Sequence, residues 1–196
     1  MKINGKKPKI VMNSPVVLSF VFVCFFATLL GELTKGAVTR FLFMASRSSL
    51  ADPMTYLRLF THVFGHNGFD HFMGNAAYLL LLGPILEEKY NAGRIVMVIV
   101  STALITAAAN AVFLPGVAIC GASGVVFAFI MLASFTGFKD GEIPLSFIMI
   151  GVLFIGEQVV QGIFVADQVS NLSHILGGVV GAVVGYWLNK MKTARA

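Results

Sequence analysis

Charge is what this sequence has least of. Only 12% of its 196 residues are Asp, Glu, Lys or Arg, against 57% that are hydrophobic, and its mean hydropathy is +0.86. A water-soluble domain carries about 25% charged residues. With half of that there is too little polar surface to cover a soluble globule, so most of the exterior must face lipid. Cysteine is nearly absent. Cys24 and Cys120 both lie in or beside apolar segments, which excludes a disulfide framework. Low-complexity tracts, an internal repeat and a soluble domain are also missing.

The net charge of +5 and a pI near 9.4 do not indicate nucleic acid. Lys2, Lys6, Lys7 and Lys9 crowd the start, and Lys190, Lys192 and Arg195 the end, as topology signals beside anionic lipid do. The apolar run after the first cluster lacks a small-x-small cleavage site before Glu32 and is read as a retained helix rather than a signal peptide. Six apolar segments of roughly 20 residues follow the bilayer-spanning rule. They are expected at 15–33, 69–87, 93–114, 121–137, 143–163 and 171–190, with breaks at Glu87-Glu88-Lys89, Asn91-Ala92-Gly93, Pro115-Gly116, Lys139-Asp140-Gly141 and Asp167 to Asn171. The expected fold is an all-α membrane protein: a basic terminus over 1–14, one six-transmembrane helical bundle over 15–190, and a tail over 191–196. Placing both termini in the cytoplasm leaves ten Lys and Arg inside and four outside, Lys35, Arg40, Arg47 and Arg58, all in the first loop. That loop, about Lys35 to Gly68, is long and apolar enough to dip into the outer leaflet.

Polar residues at membrane depth are costly and mark function. Three groups stand out: Asp70-His71-x3-Asn75 opening the second span, Gly121-Ala122-Ser123-Gly124 opening the fourth, and Asn171-x2-His174 opening the sixth. Even-numbered spans all begin at the outer face, so the three groups share a depth although they are far apart in sequence. Each has a bland reading: small-residue packing for the serine motif, an interfacial residue for His174, a helix-tying hydrogen bond for His71. The functional reading joins them. Ser123 supplies a hydroxyl, and its amide is an orphan donor at a helix start. His174 supplies a base titrating near neutrality. His71 and Asn75 share a helix face as donors. Gly177, Gly181 and Gly185 make a stripe that admits a close neighbour, with Gly124 and Ala128 as the matching small face. A metal held by His62, His66 and His71 is disfavoured, since no acidic or thiol ligand joins them at suitable spacing. Neither Asp70 nor Asp167 is placed by pattern to complete a triad. Glu157, Gln158 and Gln161 are notable polar groups late in the fifth span.

These motifs, from about Leu57 to Gly185, resemble the rhomboid family: Phe60-Thr61-His62-x3-His66-x4-His71-x3-Asn75, then Gly121-Ala122-Ser123-Gly124, then Asn171-x2-His174-x2-Gly177-x3-Gly181. The resemblance implies a serine endopeptidase that cuts transmembrane protein substrates within the bilayer, without metal or cofactor. Ser123 would be the nucleophile and His174 its base, with Asn75, His71 and the Ser123 amide holding the oxyanion. Gly121, Gly124, Phe127, His66, Asn171, Gly177 and Gly181 would support them. The fifth span and a cap over Val165–Ser170 would admit substrate. The expected place is a bacterial inner membrane, with lipid as solvent and both termini cytoplasmic. Two departures are visible: Phe127 replaces the Tyr that many members carry four residues after the nucleophile, and Leu57-Arg58 replaces Trp-Arg. The rival readings are a catalytically silent rhomboid-like protein that binds membrane clients, which would typically lose the serine or the histidine, and a small transporter, which would show paired intramembrane charges or inverted repeats.

Overall fold

The computed structural model describes residues 9–138, 142–164 and 168–193, together with the side chains of most of them. The named elements among these residues are all helical, and Ala45 and Ile119 form an isolated β-bridge. Helix α1 spans Pro15–Leu33, a short α2 spans Pro53–Thr61, and the bundle continues as α3 (Phe69–Tyr90), α4 (Ala92–Phe113), α5 (Ser123–Ser134), α6 (Leu145–Phe164) and α7 (Gln168–Thr193). Among the described residues, Pro15–Leu33, Ala92–Phe113 and Asn171–Lys190 are long and apolar enough to cross a membrane by length and composition. α5 is shorter, 12 residues extended by a 3-10 turn over Phe135–Gly137.

Burial follows the inside-out logic of a lipid-solvated bundle. Leu79, Leu86, Ile95, Val98, Val125, Phe129 and Leu132 form a closed apolar centre. Large apolar side chains such as Phe22, Leu33, Phe113, Val152 and Trp187 stand exposed around it, where lipid tails replace water.

The helix ends differ from the sequence reading chiefly at α3, α5 and α7. α3 runs past Glu87-Glu88-Lys89 to Tyr90, because the chain turns only at Asn91, which has φ +72° and whose Oδ1 accepts from Arg94 N–H at 3.2 Å. α5 begins at Ser123 rather than Gly121, because Gly121 has φ +129° and cannot be helical. α7 starts at Gln168, inside the expected break, and ends at Thr193. Of the expected breaks and tails, 139–141, 165–167, 194–196 and 1–8 lie outside the described residues.

Glu87 shows why α3 carries a carboxylate so far along. It is buried, and its two oxygens accept from the Val16 and Val17 N–H groups at 3.1 and 3.0 Å. These are orphan donors at the positive end of α1, so the charge is offset where it sits. Glu87→Ala is expected to cost about 2 kcal/mol of stability, read as a lowered melting temperature. An unchanged melt would show that water replaces the carboxylate without loss.

The first loop is ordered by its own contacts. A π-helical turn over Thr39–Phe43 is tied to α2 by Arg58 Nε, which donates to Phe41 O at 2.9 Å, and by the Thr61 hydroxyl donating to Leu42 O at 2.5 Å. Asp52 caps α2 by accepting from Met54 N–H at 2.9 Å. Arg58 therefore anchors the loop even though Leu57 replaces an aromatic neighbour.

Candidate active site

The segment before α5 is held at several points. Ile119 and Ala45 exchange both backbone hydrogen bonds at 2.9 and 2.8 Å, and Asn110 Nδ2 donates to Val117 O at 2.8 Å. Gly121 N–H donates to His62 O at 2.9 Å, and Ala122 N–H donates to His66 Nε2 at 3.2 Å. A Cβ on Gly121 would lie 2.7 Å from His71 Cε1 and 3.0 Å from its Nε2. Only glycine accepts both that approach and the positive φ. The first bond of α5, Val126 N–H to Ala122 O, forms beyond Ser123, so the Ser123 N–H is an orphan donor at a helix start.

α5 makes its most extensive contact with α7. A Cβ on Gly177 would overlap the Gly124 carbonyl, lying 2.8 Å from its carbon, and one on Gly181 would overlap the carbonyl of Ala128, 2.8 Å from its carbon. Gly185 is likewise closed off by the Phe135 ring, 2.6 Å away. The stripe expected from spacing is a backbone-to-backbone seam. One turn above it, a Cβ on Gly124 would be 3.4 Å from Ser173 O, so the starts of α5 and α7 lie side by side.

That seam puts Ser123 and His174 on the wall of one cavity of about 930 Å³. His71, Asn75, Gly121, Gly124, Phe127 and Glu157 line it too. The Phe127 ring packs on the His174 imidazole, centroids 4.2 Å apart and tilted by 38°. Phe127 is one helical turn from Ser123, so His174 rests over the face of α5 that carries the serine. Asn75 is buried and its Nδ2 donates to His71 O at 3.0 Å. His71 Nδ1 accepts from Asn67 N–H at 3.4 Å, which leaves Nε2 as the N–H donor of a neutral ring. Asn171 is buried at the start of α7 but does not line the cavity. The side chains of Gln158 and Gln161 lie outside the described residues.

The histidines before α3 are wall supports. His66 Nδ1 faces Phe64 O at 3.1 Å and must donate, so Nε2 is the acceptor for Ala122 N–H. His62 Nδ1 likewise donates to Arg58 O at 3.2 Å, and its Nε2 meets the Thr106 hydroxyl at 3.2 Å. Among the described residues no group of His, Cys, Asp or Glu is arranged to hold a metal ion. Burial pushes both rings down to about 4, with the neighbouring His71 adding to the effect at His66. Their folded values lie below the usual 6.5, so the unfolded chain takes up protons first as pH falls. Stability is expected to be full above about pH 6.5 and to decline toward pH 4, where a proton on His66 Nε2 also breaks its bond to Ala122. Melting temperature measured across that range checks it. A flat profile, or one unchanged by His66→Phe, would count against these protonation states.

Sequence reasoning missed Cys120 and Asn67. Cys120 lines the cavity, and its thiol donates to Asn67 Oδ1 at 3.4 Å. Burial pushes that thiol up to about 11, so it stays protonated at neutral pH and offers no rival thiolate. Both residues sit within a few positions of a motif, and adjacency was the only signal available for them.

The rhomboid-domain family model matches residues 53–191 of the chain. The chain is similar to the rhomboid protease GlpG of Serratia proteamaculans, 27% identical over 145 residues, covering 69% of this chain and 50% of that protein. It is similar to the rhomboid-related protein 1 of Caenorhabditis elegans, 30% identical over 142 residues, covering 66% of this chain and 39% of that protein. The rhomboid protease GlpG of Salmonella newport is 27% identical over 131 residues, 66% of this chain and 47% of that protein. The chain thus spans about half the length of these curated relatives, or less. With a family match over most of its length and all three motifs lining or supporting one cavity within a helical bundle, the chain belongs to the rhomboid family.

Proposed function

We propose that the protein is an intramembrane serine endopeptidase that hydrolyses peptide bonds of transmembrane proteins, with Ser123 as nucleophile and His174 as general base. The observation that carries this reading is that both side chains line one cavity, set there by a seam too tight for any side chain at Gly177 or Gly181. In the proposed reaction Ser123 Oγ attacks the scissile carbonyl carbon while its proton passes to His174. Negative charge on the carbonyl oxygen is met by the Ser123 N–H, His71 Nε2–H and Asn75 Nδ2. The C–N bond then breaks, and His174 delivers the proton to the leaving amine. A water that gives its proton to His174 next attacks the acyl ester, and return of that proton to Ser123 Oγ frees the acid. Asn75 Nδ2 carries two N–H donors, so one can stay on His71 O while the other meets the oxyanion.

Phe127 keeps the ring packing on His174 without a hydroxyl, so that contact helps to orient the base. The bundle over 15–190 is the catalytic domain in this reading. Both termini are cytoplasmic and the cavity lies in the outer half of a bacterial inner membrane, as the Lys and Arg distribution favours. The first loop rests in the outer leaflet with Phe41, Leu50, Tyr56 and Phe60 exposed to it.

A fluorophosphonate probe tests the nucleophile directly. The detergent-solubilised wild type is expected to be labelled, and Ser123→Ala is expected to lose the label while melting as the wild type does. Folded wild type that stays unlabelled would favour a silent, client-binding member of the family.

A further inference from the structure

A second cavity lies at the same end of the bundle, behind the wall of the first. It measures about 200 Å³ and sits between the end of α1 and the start of α3, lined by Glu32, Lys35, Thr39, Arg40, Asn67 and Gly68 among others. The chain leaves α1 through two left-handed residues, Lys35 (φ +50°) and Gly36 (φ +80°). This turn folds Arg40 back on itself: its Nη2 donates to Lys35 O at 3.4 Å, and its Nη1 would touch a Cβ on Gly36 at 2.8 Å. Glu32 reaches across the opening, with Oε1 3.5 Å from the Cβ position of Gly68, the cap of α3. Two cations and one carboxylate therefore surround a space that also meets the positive end of α3, leaving a surplus of positive charge.

Depth and surroundings identify what fits. Lys35 lies two residues beyond the last residue of a membrane-crossing helix, which is the level of the lipid phosphates. A polar, net-positive pocket at the level of the lipid phosphates matches the anionic head of an amphiphile.

We propose that this pocket binds the headgroup of an anionic glycerophospholipid, its phosphate between Lys35 and Arg40 and its headgroup hydroxyls donating to Glu32. One monoanionic phosphodiester balances the three side-chain charges. The consequence reaches the proposed active site, because Asn67 lines both cavities. The same short segment holds the nucleophile loop through His66 to the Ala122 N–H and through Asn67 to the Cys120 thiol. A headgroup seated against residues 66–68 would restrain that segment and, through it, the start of α5. The binding itself does not depend on the protease reading.

Native mass spectrometry of the full chain, released from micelles containing dioleoyl-phosphatidylglycerol or dioleoyl-phosphatidylcholine, tests it. The wild type is expected to retain phosphatidylglycerol over phosphatidylcholine, and Lys35→Gln/Arg40→Gln to lose about tenfold in phosphatidylglycerol affinity. Lys35→Arg/Arg40→Lys, which keeps the charge, should stay within about threefold and guards against a folding defect. Arg94→Gln, remote from the pocket, should bind as the wild type does. Equal retention of the two lipids by wild type, or equal phosphatidylglycerol affinity in the double Gln variant, would overturn the proposal. So would displacement of the lipid by an equal concentration of glycerol 1-phosphate, which would assign the pocket to a soluble anion. Hydrogen exchange of a peptide covering 118–124 reads the coupling without needing activity: it should slow on adding phosphatidylglycerol in the wild type and not in the double Gln variant. Unchanged exchange with lipid bound would overturn the coupling.

Discussion

His174→Ala is expected to lower cleavage of a single-span substrate in proteoliposomes by at least about 10⁴-fold while the bundle stays folded. A serine hydroxyl is a poor nucleophile at neutral pH and needs a base to take its proton as the bond forms. The variant keeps the orphan Ser123 N–H, the His71 and Asn75 donors and the cavity, so any remaining turnover would measure what the oxyanion donors achieve alone. It removes the Phe127 contact, worth on the order of 1 kcal/mol for a ring pair. A melting temperature near that of the wild type with turnover gone is the predicted combination. Full turnover by the folded variant would remove His174 as the base and, with it, the proposed mechanism.

Gly181→Ala is the second large effect, this time on stability. In most helices a Gly→Ala change stabilises by up to about 1 kcal/mol, because glycine is the poorer helix former. At Gly181 the added methyl would strike the Ala128 backbone, which has no side-chain rotation to relieve it. α7 would have to move away from α5 along the seam, at an expected cost of about 2–4 kcal/mol. Gly151→Ala in α6 is the internal control, since a Cβ there meets nothing within 4 Å. Thermal melts of the two variants should shift in opposite directions. Because the seam also sets α7 beside Ser123, fluorophosphonate labelling of Gly181→Ala should fall as well. Equal melts for both variants would show that α5 and α7 separate without cost.

The membrane class and most helix positions were legible because lipid imposes a simple rule on composition: long apolar runs, broken where charge or Asn-Gly chemistry returns. α1 begins and ends where its hydropathy says. The rule failed where a polar group inside a helix has a partner from another one. Glu87 reads as a break because a lone carboxylate belongs outside the bilayer, yet the α1 N-terminus gives it two donors and the helix continues. Gly121 reads as part of a span because glycine is apolar, and its positive φ is invisible in composition.

The same division runs through the candidate site. Residue identity and order alone determined the all-helical membrane class, the family motifs, and the pairing of Gly177 and Gly181 with the small residues Gly124 and Ala128 on α5, since these depend on periodicity and hydrophobicity local to each segment. Tertiary structure decided which contacts each histidine makes. His62 and His66 meet Arg58, Thr106, Phe64 and Ala122, His71 packs on Gly121, and His174 lines the cavity with its ring on Phe127. It also decided that Asn67 stands between two cavities. An imidazole is donor, acceptor or base according to what lies within about 3 Å of each ring nitrogen. Those neighbours come from residues tens of positions away, so no window of sequence contains them.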